Sequence, residues 1–186
     1  MKRHGFKNII IGFFFFLLDI HIFIDVLPDP VDYLLIGVGI VKLGTGGLRA
    51  KKAEMTAYIL MVLSLPTLFL SGEVLKQMQL ASLEWVLYGF VMSIGDLILV
   101  YFIFLMLLHE LEYPINQEEN HNRVRKMMII YMSIALSITF LQPFLLNMEQ
   151  NTAMVLGIMS IVLFLIVHIA FLVLLRVLHK TFPTAS

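Results

Sequence analysis

Six apolar runs separated by short polar stretches divide this chain, at about 8–27, 31–43, 55–71, 85–108, 126–146 and 152–178. Within each run the apolar residues are nearly continuous and do not alternate with polar ones, so the runs lack the pattern of barrel strands and predict helices. A helix needs roughly 20 residues to cross the hydrocarbon core of a bilayer. Five runs reach or approach that length, and 31–43 is short. Prolines punctuate the pattern. Pro28 and Pro30 break the chain between the first two runs, while Pro66 and Pro143 lie inside the third and fifth, where kinks and freed carbonyls are expected. The longest polar stretch, about 109–125, reads as a connector, and no linker is long enough to part off a second domain, so residues 1–186 read as one transmembrane domain. Asp19 and Asp96 fall in the first and fourth runs, as a three-plus-three inverted repeat requires, but their flanking residues do not match.

Composition turns the pattern into a class. Hydrophobic residues make up 60% of the chain, against about 45–50% in soluble domains, so lipid is the expected solvent for most of the surface. A net charge of zero argues against a nucleic-acid partner. The absence of cysteine excludes disulfides, thiolate metal sites and thiol chemistry. Met1-Lys2-Arg3-His4 followed by an apolar run resembles a signal peptide, but no small-x-small cleavage site follows, and the segment reads as a retained first span.

Charge then sets the threading. If 31–43 crosses, Lys2, Arg3, Lys7, Lys42, Arg49, Lys51, Lys52, Arg123, Arg125, Lys126, Arg176 and Lys180 fall on one side, and only Lys76 falls on the other. If it does not cross, the better orientation strands Lys2, Arg3, Lys7 and Lys76 outside, nine against four. The positive-inside rule favours twelve against one. The expectation is an all-α polytopic membrane bundle of six transmembrane helices, both termini cytoplasmic, with a short second span. Aromatic residues fit this threading, with Tyr33, Trp85 and Tyr88 near the outer boundary and Tyr58, Tyr113 and Tyr131 near the inner one.

Candidate chemistry concentrates in the first hairpin, where Asp19, Asp25, Asp29 and Asp32 lie within 14 positions. Charged groups cost about 2.5–3.5 kcal/mol each at a helix centre on insertion scales, so they face the bundle interior and serve something. His21 and Asp25 share a helical face. Asp29 and Asp32 read as outer-turn residues, with Asp32 capping the second helix. Asp19, His21, Asp96 and His168 lie at similar depths, so an Asp–His group is expected to bind a proton, cation or small solute. Asp19, His21 and Asp25 have the donor types for a divalent cation. The structural alternative is that Asp19 and Asp96 bond across helices and glue the bundle, and that His168 bonds a carbonyl. The turn Gly44-Thr45-Gly46-Gly47, followed by Arg49, Lys51 and Lys52, has the makings of an anionic-headgroup site but reads first as a flexible loop with topology-setting charges. His109-Glu110 does not continue into HExxH, because position 113 is Tyr. No GxSxG motif or P-loop occurs. The Met residues form no paired ladder.

Leu27-Pro28-Asp29-Pro30 and Tyr33-Leu34-Leu35-Ile36, within Asp19 to Gly39, resemble the first hairpin of small multi-pass proteins of Gram-positive bacteria, whose first span runs into an LPDxxxY-type turn. Here Asp32 stands where that pattern has a small residue. The resemblance implies a bacterial plasma membrane and no particular activity.

Three functions are open at this point. The first is transport or ion binding through the mid-membrane Asp and His residues, including the version in which the chain is the substrate-binding subunit of a larger importer. That version wants a small-residue docking face, which Gly12-Phe13-Phe14-Phe15-Phe16 does not display. The second is an intramembrane lipid-acting enzyme using Asp25, Asp29 and Asp32 at the outer face. The third is a non-catalytic accessory or immunity subunit. The lipid bilayer is the expected partner in each, and a homodimer or a larger membrane complex fits the chain's small size.

Overall fold

The computed structural model describes residues 2–22, 29–44, 47–69, 83–112, 118–145 and 147–181, apart from the side chains of 2–3, 18–22, 29, 69, 83 and 112. The described residues form helices α1 (Lys2–Ile22), α2 (Asp29–Leu43), α3 (Leu48–Leu63), α4 (Leu83–Glu112), α5 (Glu118–Leu145) and α6 (Gln150–Thr181), with a 3-10 segment at Leu65–Phe69. The all-α expectation is met. Three helices are long and apolar enough to cross a membrane, over Glu84–Leu111, Glu118–Leu145 and Gln150–Thr181.

Two element boundaries differ from the sequence reading, each for a local reason. Pro66 does not kink a helix; α3 stops before it. Proline lacks an N–H and disfavours α geometry in the residue ahead of it. The chain therefore leaves the helix at Ser64, whose N–H donates to the Leu60 carbonyl at 2.8 Å and whose hydroxyl donates to the Met61 carbonyl at 3.0 Å. The polar connector at 109–125 is mostly helix as well. Glu118 and Glu119 occupy the first turn of α5, where carboxylates complement the positive end of the helix dipole, and Glu119 pairs with Arg123 one turn on. Pro143 does lie inside α5. The carbonyl it leaves without an intrahelical donor is that of Thr139, four residues back.

Each helix packs on the next in chain order, and α6 closes the ring onto α1. Successive helices run in opposite directions. Gly5 meets Leu43, Gly47 meets His109, Phe104 meets Tyr131, Tyr131 meets Phe164, and Phe6 meets His179. This alternation gathers Lys2, Arg3, Lys7, Lys42, Arg49, Lys51, Lys52, Arg123, Arg125, Lys126, Arg176 and Lys180 at one end of the ring. Lys76 lies outside the described residues.

The α1–α2 contact is the tightest in the ring. A Cβ at Gly5 would sit 2.7 Å from the Gly39 carbonyl oxygen, and one at Gly12 would sit 2.8 Å from the Asp32 carbonyl oxygen. Gly5, Gly12 and Gly39 thus let two backbones touch, the small-residue packing that holds helices together where no hydrophobic force acts between them. Gly5 and Gly12, seven residues apart among phenylalanines, face α2 of the same chain rather than an outside partner.

Packing is uneven along the ring axis. Among the described residues, every buried side chain on α4 lies at or after Leu97, every one on α5 at or before Thr139, and every one on α6 at or after Val167. The basic half is therefore filled, by Phe6, Phe13, Phe104, Phe171 and the aliphatic residues between them. Among the described residues, the other half is less filled between α4, α5 and α6. Outward faces carry exposed Ile59, Val91, Ile98, Phe140, Ile158 and Ile166, an apolar belt suited to lipid chains.

Gly39→Ala forces its Cβ to 2.8 Å from the Gly5 carbonyl oxygen and is expected to cost about 1–3 kcal/mol. Gly157→Ala, whose Cβ meets nothing within 4 Å, is expected to be neutral or to stabilise by up to about 1 kcal/mol through helix propensity. Thermal unfolding in detergent separates them, and equal effects would remove the α1–α2 contact from its central place.

Candidate functional site

The less filled half encloses a cavity of about 520 Å³. Three helices supply its walls with one face each. α4 gives Gly89, Met92, Ser93, Asp96 and Leu97; α5 gives Tyr131, Ala135, Ile138, Thr139, Gln142 and Leu145; α6 gives Gly157, Ser160, Ile161 and Phe164. Spacings of three and four residues put each set on one stripe of its helix. Phe16 of α1, Tyr33 of α2, Thr67 and Tyr88 complete the lining. The cavity runs from Asp96 toward the end of the ring away from the Lys and Arg residues, where Thr67, Tyr88 and Leu145 line it. Near that end the Tyr88 hydroxyl donates to the Leu63 carbonyl at 2.9 Å.

Asp96 is the one carboxylate among the described lining residues. It lies 13 positions into α4, about 20 Å along the helix at about 1.5 Å per residue. The Tyr33 hydroxyl donates to its Oδ1 at 2.7 Å. Tyr33 stands only four residues into α2, so the short α2 begins deep in the ring, level with the middle of α4. Its neighbour Asp32 is also buried, 1% exposed, in the first helical turn, where the dipole favours a carboxylate. Asp32 thus stands in the first turn of α2, at the helix start where the sequence reading also put it.

His168 lies just beneath the cavity floor, fully buried. Its Nε2 is 3.3 Å from the Phe13 carbonyl oxygen and its Nδ1 is 3.1 Å from the Tyr131 hydroxyl. A carbonyl only accepts, so Nε2 carries the proton of the neutral ring, and Tyr131 donates to Nδ1. The rings of Phe16 and Phe164 each lie 5.5 Å from the imidazole, with Phe13 at 5.6 Å. Both ring nitrogens are used in tying α6 to α1 and α5.

The structure therefore places Asp96 and His168 in two tyrosine pairs, Tyr33–Asp96 in the cavity wall and Tyr131–His168 with only the tyrosine in it. Asp19 and His21 belong to the last turns of α1, and Asp29 is the first residue of α2, but the side chains of all three, and Asp25 altogether, lie outside the described residues. So does the divalent-cation set of Asp19, His21 and Asp25. Among the described residues no group of three or more His, Asp and Glu is placed to hold a metal. In the glycine turn, Gly44 ends α2 with φ +68, and Thr45 and Gly46 lie outside the described residues.

Sequence reasoning missed Tyr33 and Tyr131 as interior groups. Both read as interface aromatics, and both are buried, 3% and 2% exposed. It also missed Ser93, Thr139, Gln142 and Ser160. The signal was present: Ser93 with Asp96, and Thr139 with Gln142, fall three residues apart within mainly apolar runs. No family model matches this chain, and no curated protein or solved structure matches it significantly.

Tyr33→Phe and Asp96→Asn are expected to be coupled in a double-mutant cycle by about 0.6–2 kcal/mol, the range for side-chain hydrogen bonds between membrane helices. Tyr131→Phe leaves His168 Nδ1 without its donor and is expected to cost about 1–3 kcal/mol. Additive effects of the Tyr33 and Asp96 changes would mean that the bond contributes nothing.

Proposed function

We propose that this chain is a six-span protein of a bacterial plasma membrane that binds a small solute or cation at Asp96, with both termini cytoplasmic and the cavity reached from the outer side. The observation that carries the reading is a carboxylate at mid-bundle depth in the wall of a cavity of about 520 Å³. That volume is typical of small-molecule sites, which run to about 300–1,000 Å³. An ionisable residue at such depth is costly unless it serves something. Clustering of the Lys and Arg residues at one end of the ring supports the orientation. The apolar belt supports six crossings, with the short α2 covered on both sides by α1 and α3. The filled basic half supports binding from one side over an open conduit. A hydrolytic site built on Asp25, Asp29 and Asp32 is less favoured, because Asp32 is buried within the helix pack.

Two measurements test this. The natural chain contains no cysteine, so single cysteines report topology cleanly. Asn147→Cys is expected to react with a membrane-impermeant maleimide in intact cells, and Asn122→Cys and Lys180→Cys only after lysis; the reverse pattern, or labelling of all three, sinks the orientation. For binding, thermal stability of the purified protein across pH and a panel of small solutes and cations is expected to show a stabilisation that Asp96→Asn abolishes. A flat wild-type response would leave Asp96 as a packing device.

A further inference from the structure

The seam between α5 and α6 is loosely packed in the half of the ring away from the Lys and Arg residues. From Gln150 to Ile166 no side chain of α6 is buried. A Cβ at Gly157 would meet nothing within 4 Å. Below, the seam is shut by Tyr131 against Phe164, with ring centroids 6.3 Å apart. Above, it ends at the turn joining the two helices, where the Asn147 N–H donates to the Phe144 carbonyl at 3.0 Å. Pro143, a residue type that bends helices, stands in α5 near that upper edge. The seam is therefore a framed window in the wall of the ring.

Free volume lies on both sides of this window. Inside is the cavity of about 520 Å³. Outside is a groove of about 650 Å³, lined by residues within 133–141 of α5 and 156–166 of α6. Ile138 and Ser160 line both, so a single layer of side chains separates them. Along α6 the groove runs for about 15 Å, at about 1.5 Å per residue over 156–166. That is half of a hydrocarbon core of about 30 Å, the depth of one leaflet. Both helices are long and apolar enough to cross a membrane. The groove walls are hydrocarbon apart from Ser133, Ser137 and Ser160, and the Ser137 hydroxyl is engaged by the Ser133 carbonyl at 2.8 Å. Such a groove fits one lipid chain lying parallel to the helices.

A chain alone gains little there, because bulk lipid is as apolar as the groove. Selectivity needs a polar group, and the cavity side of the window supplies one. Thr139 is 7% exposed and lines the cavity, and its hydroxyl makes no hydrogen bond among the described residues. A hydroxyl left so in apolar surroundings is costly, and a ligand hydroxyl would satisfy it. Ser160 adds a second hydroxyl at the window, and Gln142 adds an amide three residues on from Thr139. These groups both donate and accept, which a hydroxyl head matches. No Lys or Arg is among the described residues that line groove or cavity, so nothing there neutralises a phosphate, and phospholipid heads are disfavoured.

We propose that the α5–α6 window admits an uncharged single-chain lipid with a hydroxyl head from the surrounding leaflet, its chain lying in the groove and its head on Thr139 and Ser160. This entry goes beyond solute binding at Asp96 and uses nothing of that carboxylate.

The probe is a monoacylglycerol carrying a diazirine in its chain, photolysed in phosphatidylcholine vesicles that hold the full chain. Peptide mass spectrometry locates the adducts. They are expected to concentrate within 133–141 and 156–166, to saturate, and to be competed by plain monoacylglycerol but not by an alkane of equal length. Gly157→Phe fills the open space and is expected to reduce the adducts at least threefold. Ile59→Phe, on the exposed face of α3, is expected to leave them unchanged. Thr139→Val removes the hydroxyl and keeps the shape of the side chain, and it is expected to weaken competition by about three- to tenfold. Unchanged competition in both Thr139→Val and Ser160→Ala would overturn the head site. Adducts spread evenly over all the outward faces without saturation would mean annular lipid only and would overturn the entry. Equal competition by the alkane, or equal labelling of the seam by a diazirine phosphatidylcholine, would overturn the lipid class. A second copy of the chain is the other occupant that the groove could take. In that case the probe leaves the seam unlabelled and Met159→Cys, in a chain with no natural cysteine, cross-links between copies, which also overturns the proposal.

Discussion

Backbone contact between α1 and α2 at Gly5, Gly12 and Gly39 sets the depth at which Tyr33 meets Asp96. With a Cβ at any of these positions the two helices could not approach as closely as they do. The contact matters because α2 is only 15 residues long, about 22 Å at about 1.5 Å per residue, and cannot line the whole height of the ring. Held against the basic half, it starts level with the middle of α4, while α4, α5 and α6 continue past it. From this one placement follow the Tyr33–Asp96 bond, the filled lower half and the cavity above. A longer α2, or one seated nearer the other end, would carry Tyr33 past Asp96.

Two tyrosine pairs differ in what surrounds them. In the lower pair Tyr131 donates to His168 and His168 donates to the Phe13 carbonyl, so three helices are joined through one imidazole. Its donor and acceptor capacity is used, and aromatic rings surround it, which makes it a fastening. In the upper pair a phenol meets a carboxylate, and the carboxylate lines a cavity. The same residue types thus sit differently, because Asp96 lines the cavity and His168 does not.

Much of the class was legible in the sequence, and less of the site. All-α architecture followed from unbroken apolar runs, and the charged residues were sorted into two groups before any geometry was known. The failures share a cause. Tyr33 and Tyr131 were assigned to interfaces because their depth was counted from the ends of apolar runs. But α5 begins with polar turns at Glu118, well before its apolar run, and α2 is positioned by glycine contacts that no run length reports. Pro66 was read as a kink because a run continues through it, whereas the backbone obeys the local rule and ends the helix at Ser64. Asp96 stood out as a mid-helix charge and His168 as a mid-helix imidazole, yet only their partners distinguish a cavity group from a fastening, and both partners come from distant parts of the chain.

The uneven packing also bears on what this conformation can and cannot do. A solute at Asp96 would have Phe16, Tyr131 and Phe164 below it, then His168, and then the interlocked rings of Phe13, Phe104 and Phe171, with Phe13 and Phe171 5.2 Å apart and Phe104 and Phe171 4.9 Å apart. Passage toward the basic end requires those rings to part. Parting them means breaking the His168 bonds, which hold α1, α5 and α6 together, and exposing two buried polar groups without partners, a cost of about 1–3 kcal/mol for each. Release toward the other side would need an input that acts on the α1–α6 seam, where Phe6 and His179 meet at the basic end.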